Sequence, residues 1–122
     1  MGSNSATGGM ELATNVMTVT FNSASTTSSS PSFIMMLGQF NASLSGTWGA
    51  GIMSIQKSYD GGTTFIPVTV DTSTPGSTGS YTSNVSVVIN EPEPGVYYRW
   101  QPTSTLTSGT VTARISGGPR VS

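Results

Sequence analysis

The chain is 122 residues long, enough for one domain with its own core, yet forty residues are Ser or Thr, nine are charged, and His and Cys are absent. Charged residues make up 7% of it, against about 25% in an ordinary globular domain. The formal charge of −1 and the scatter of Lys57, Arg99, Arg114 and Arg120 exclude a basic footprint for nucleic acid or an anionic membrane.

In chain order, residues 1–14 carry no pattern that would pack, and they read as an extended N-terminal arm ahead of one sandwich domain, residues 15–122. No basic segment followed by an apolar one marks a signal peptide. The longest apolar run, residues 33–37, is far too short to span a bilayer, so no membrane is expected as a partner. No window repeats apolar residues at helical spacing. Short β-branched and aromatic runs instead alternate with Gly, Pro, Ser and Asn, which predicts strands at 15–22, 32–37, 40–44, 50–58, 64–70, 81–89, 95–101 and 110–115. Residues 23–32 and 71–80 are Ser/Thr-rich and read as loops, the first of them mobile. The fold class predicted is all-β, an antiparallel immunoglobulin-like β-sandwich of about seven to eight strands.

Two strands depart from the alternation that one wet face would impose. Phe33, Ile34, Met35, Met36 and Leu37 form an unbroken apolar run, and residues 85–89 alternate only in part. Apolar residues on both faces need both faces covered. The run lies either under its own N-terminal arm or against a partner; together with Trp48 it is the candidate partner interface.

Residues 58–65 fit the Asp-box pattern S-x-D-x-G-x-x-F, a hairpin that resembles those of sialidase-type propellers. Asp60 would accept from turn amides, Gly61 and Gly62 supply positive φ, and Phe65 pack back, with Ser58 opening the motif. One copy, without an arginine cluster, implies a structural turn. Residues 93–99 resemble the segment opening the sixth strand of immunoglobulin-like domains, with Gly95 at the turn and Tyr97 as the tyrosine corner. Alternation then puts Val96, Tyr98 and Trp100 opposite Tyr97 and Arg99, and we expect Tyr98 and Trp100 in the core. Glu91 and Glu93, in Glu-Pro-Glu-Pro, read as solvated carboxylates near Arg99.

Catalysis finds little support. No His, Cys or G-x-S-x-G leaves a nucleophile without its usual base, and no spacing suggests a metal site. The chain is read as a non-enzyme without catalytic residues, metal or cofactor. Asn41 and Asn84 open N-x-S sequons, which chance explains in so Ser-rich a chain. Trp48, Trp100, Tyr59, Tyr81, Tyr97 and Tyr98 offer an alternative, a sugar-stacking platform, against the more usual placing of such rings in cores and protein interfaces.

From residue 37 to 116, the segments LGQFNASLSG, IQKSYDGGTTFIPV, EPEPGVYYR and TSGTV resemble small all-β virion proteins of tailed bacteriophages, several of which are capsid decoration (cement) proteins. The resemblance implies a module on the capsid surface of the virion that binds the major capsid protein and neighbouring copies of itself as a homo-oligomer, without nucleic acid. It also leaves open a tail, adaptor or fibre component, beside the carbohydrate-binding alternative.

Overall fold

The β-branched and aromatic runs become strands, and the computed structural model contains no helix among the residues it describes, 12–13, 15–68, 79–117 and 120–121. The strands are β1 (Leu12–Ala13), β2 (Val16–Asn22), β3 (Ile34–Met35), β4 (Gly38–Trp48), β5 (Ile52–Ser58), β6 (Ile66–Pro67), β7 (Ser80–Tyr81), β8 (Val85–Glu91), β9 (Tyr97–Ser104), β10 (Gly109–Gly117) and β11 (Arg120–Val121). One sheet has the order β2-β10-β4-β8, the other β3-β9-β5-β6 with β7 also on β5, and β1 pairs with β11. Strands β6 and β7 share one edge of β5, β6 against Gln56 and Lys57, β7 against Met53 and Ser54. All pairs are antiparallel.

The expected antiparallel sandwich is the observed architecture. Setting aside β1, β7 and β11 and renumbering the rest along the chain, the two sheets run 1-8-3-6 and 2-7-4-5, the order of a jelly roll. In immunoglobulin order the last two strands are neighbours in one sheet, whereas here β9 and β10 lie in opposite sheets. The crossing between them is built by the loop at 105–108. Leu106 is buried in it, and Thr107 N–H donates to Ala50 O (2.8 Å) while Gly49 N–H donates to Ser108 O (2.9 Å). That pairing ties it to the β4–β5 crossing, so two sheet changes stack on each other. Gly51, at φ +148°, lets them approach, since a Cβ there would lie 2.6 Å from Leu106.

The core lies between the sheets. Phe21, Phe40, Leu44, Ile89, Val111 and Ile115 face Met53, Ile55, Tyr98 and Trp100, with the Phe40 and Tyr98 rings edge to face at 4.6 Å. The excess of hydroxyls is explained on the outside of the first sheet. There Thr20, Thr112 and Ser45 stand in one cross-strand row, and Thr18, Arg114, Ser43 and Ser86 in the next. Threonine suits such a position because its branched Cβ favours the strand and its hydroxyl tolerates water.

Several expected elements differ in extent. The run 32–37 keeps only Ile34–Met35 as strand, because Met36 N–H turns to Val96 O (3.2 Å) and Gly38, at φ +76°, swings the chain into the opposite sheet. The predicted strand 81–89 splits into β7 and β8. Residues 22–29, all but the first in the segment expected to be a mobile loop, form two successive turns. Ala24 N–H bonds Asn22 Oδ1 and Thr26 N–H bonds Ser29 Oγ, the local side-chain capture typical of Asn and Ser. Of the expected arm, Leu12–Ala13 pair with Arg120–Val121, and residues 1–11 and 14 lie outside the described residues, as do 69–70 of the predicted strand 64–70 and 71–78 of the second loop.

Candidate functional site

Among the described residues strand β3 is an edge of its sheet, and alternation divides the apolar run around it. Met36 is fully buried and Ile34 is half-buried against the core, while Phe33, Met35 and Leu37 are 41%, 48% and 38% exposed. The outward row therefore runs along the sheet edge. Met35 and Leu37 line an apolar depression of about 230 Å3 with Asn15, Pro94 and Gly95. Phe33 continues the row into an aromatic group, its ring 5.3 Å from Tyr97, edge-on, and 5.6 Å from Phe65. Trp48 does not join this surface. It ends β4, at the far end from Gly38, half-buried, and its Nε1–H donates to Asn84 Oδ1 (3.0 Å). Asn84 in turn donates to Gly46 O (3.1 Å), so the side chain of this sequon residue ties β4 to the approach to β8.

The Asp60 turn is built as its motif implies. Ser58 Oγ, fully buried, donates to Asp60 Oδ1 (2.7 Å) and accepts from Gly62 N–H (2.9 Å). Asp60 Oδ1 also accepts from Thr63 N–H (3.1 Å) and Thr64 N–H (2.8 Å), and Gly61 and Gly62 take φ of 76° and 96°. Phe65 packs back under Phe33 and Arg99. The Ser58 hydroxyl first, then the Thr64 amide, holds the Asp60 carboxyl down at about 2 from its ordinary 3.8. A depressed carboxylate stabilises the turn fully above the ordinary value and releases it as pH falls through the depressed one. We therefore expect the Thr63 and Thr64 amide resonances to titrate near pH 2, not near 4. Asp60→Ala should abolish that titration and speed exchange of both amides.

The hydroxyl that reaches back upstream is that of Tyr98, and it meets the Glu91 side chain instead of the backbone. Tyr97 faces outward beside Phe33, with Gly95 at φ +86° shaping the turn before it. Tyr98 is buried, as expected with Trp100, and its hydroxyl donates to Glu91 Oε1 at 2.6 Å. Glu91 is not solvated and does not meet Arg99, which corrects the sequence reading. It is 2% exposed, accepts Glu93 N–H on Oε2 (3.0 Å) and pairs with Lys57 Nζ at 3.4 Å. Burial alone would raise its pKa. The Tyr98 hydroxyl, the Glu93 amide and the Lys57 ammonium outweigh it and hold the carboxyl below its ordinary value. Burial, then the bond to Glu91, pushes the Tyr98 hydroxyl up strongly. The signal for this clamp was parity: Val85, Val87, Ile89 and Glu91 share one face of β8, and Met53, Ile55 and Lys57 one face of β5. A charge on an inward face calls for an inward partner.

The sugar platform imagined from Trp and Tyr content does not assemble. Trp100 and Tyr98 are in the core, Trp48 is at the sandwich end, and Tyr59 stands outside under Lys57, whose Nζ lies 5.1 Å from its ring centre. No three acidic residues gather among the described residues. Compared with protein families, curated proteins and solved structures, the chain matches none.

Proposed function

We propose that this chain is a non-catalytic structural protein of a bacteriophage virion, a decoration (cement) protein that docks on the capsid lattice and stabilises the head. The observation that carries the reading is the outward apolar row of Met35 on edge strand β3 with Phe33 and Leu37 flanking it. An edge strand offers unpaired backbone groups to a neighbour's sheet, and large exposed apolar side chains beside it supply the desolvated contact an interface needs. The likeness of the sequence to small phage virion proteins supports the same reading. So does the jelly-roll order, which viral capsid domains use, though lectins use it too. The hydroxyl-rich outer face of the other sheet suits a crowded particle surface, because neutral hydrogen bonds are insensitive to salt where surface ion pairs are not. Repetition of one modest contact over a lattice, with copies meeting around a symmetry axis, gives strong net retention.

The test is cosedimentation of purified protein with undecorated capsids of the phage that encodes it. Wild type should saturate the particles. Met35→Glu and Leu37→Glu should each weaken binding by about tenfold, the loss from placing a charge in a desolvated contact. Absence of wild-type binding sinks the reading, and full binding by both variants removes β3 from it.

A further inference from the structure

The loop at 27–31 arches over the outward side chains of β5 and β9, and the Asp60 turn flanks it on the other side. Between them lies a cleft of about 480 Å3, a size proper to small-molecule sites. Two groups in it lack the partners their chemistry asks for. Arg99 stacks on the Phe65 ring at 3.7 Å and donates Nε–H to Gln56 Oε1 (3.0 Å), and among the described residues no carboxylate pairs with it. Gln101 is 4% exposed and donates Nε2–H to Thr27 O (3.1 Å) and Pro102 O (3.3 Å), while its buried Oε1 accepts no hydrogen bond among the described residues. Around them stand the Phe33 ring and the hydroxyls of Ser28 and Thr103.

We infer that this cleft binds a saccharide that carries a carboxylate, of the uronic-acid class. One guanidinium, fixed by stacking and by Gln56, matches one planar carboxylate, whereas a polyphosphate would bring several charges to a single cation. Sugar hydroxyls both donate and accept, which suits a lining that mixes the donor Arg99 with side-chain hydroxyls. The Phe33 ring gives an apolar face for the C–H side of the sugar.

Calorimetric titration of the whole chain with an oligoglucuronide, a neutral cello-oligosaccharide and acetate tests this without any capsid, so it stands or falls separately from the docking proposal. The uronide should bind about tenfold or more tightly than either of the others. On saturation the side-chain amide signals of Gln56 and Gln101 should shift. Arg99→Gln should lose about tenfold for the uronide and erase its preference over the neutral sugar. No uronide binding, equal affinity for acetate, or undiminished uronide affinity in the variant overturns the inference. Should the variant fail to fold, the wild-type amide shifts decide: shifts elsewhere on the surface also overturn it.

Discussion

Trp100→Ala is expected to cost about 3–5 kcal/mol, the range for truncating a fully buried large aromatic. Trp100 is 2% exposed on β9, faces the opposite sheet, and donates Nε1–H to Arg114 O of β10 at 3.3 Å. It also meets the Tyr81 ring edge-on, 6.0 Å away. Removing it leaves a void between sheets whose packing relaxes only in part. A domain of this size holds about 5–15 kcal/mol in total, so the variant should sit near the edge of folding. Urea unfolding followed by fluorescence of the remaining Trp48 reads the loss as a lower midpoint with little change in slope. Trp100→Phe, which keeps much of the volume and loses the N–H, should cost about 1–2 kcal/mol. Trp48→Ala, at a half-buried site whose main polar contact is Asn84, should cost less than Trp100→Ala. A loss as small for Trp100 as for Trp48 would contradict the placing of Trp100 in the core.

This contrast between two tryptophans shows what a one-dimensional pattern holds. The inward placing of Tyr98 and Trp100 was legible because period-two alternation sets them with Val96 on the face opposite Arg99. The Asp60 turn was legible too, since every contact in it is local: Ser58, Asp60, Gly62 and Thr64 lie within seven positions. Strand order was not. Strand β10 pairs with β2 and β4, far away in the chain, and an alternating strand carries the same pattern whichever sheet it joins. What sends β10 to the opposite sheet is a crossing loop closed by Leu106 and by backbone bonds to Gly49 and Ala50. Nothing in a Ser/Thr-rich turn announces that. Trp48 was grouped with residues 33–37 by residue type, yet it stands at the far end of the eleven-residue strand β4 that begins after Leu37. The cleft beside Arg99 also escaped notice, because Thr27, Gln56 and Gln101 come from three remote segments.

Glu91 is where sequence and structure disagree most, and it gives the second large expected effect. Two prolines around Glu93 suggested a solvated turn, yet Glu91 is the last residue of β8 and keeps the inward parity of Ile89. Three donors converge on it: the Tyr98 hydroxyl and Lys57 ammonium at Oε1, the Glu93 amide at Oε2. Tyr98 and Lys57 belong to the other sheet, so this carboxylate fastens the two layers at one end. Glu91→Ala leaves those donors facing each other around a void and should cost about 3 kcal/mol, the loss typical when one member of a buried pair is removed. Glu91→Gln keeps the shape but sets an NH2 against a donor, and about 2 kcal/mol is expected. Tyr98→Phe removes one bond to a charged acceptor, again about 2 kcal/mol. The double variant Glu91→Ala with Tyr98→Phe should lose less than the two single losses together, since each deletion takes the same bond. The sign of the pH effect follows from the depressed pKa of Glu91. The unfolded chain binds a proton there before the folded one does, so the contribution is complete above the ordinary carboxylate value. It fades as pH falls through the lower, folded value. Melting temperatures of wild type should therefore drop on acidification below about pH 4.5, and Glu91→Gln should flatten that part of the profile. An unchanged acid limb in Glu91→Gln would show that the clamp does not set the acid stability of the sandwich.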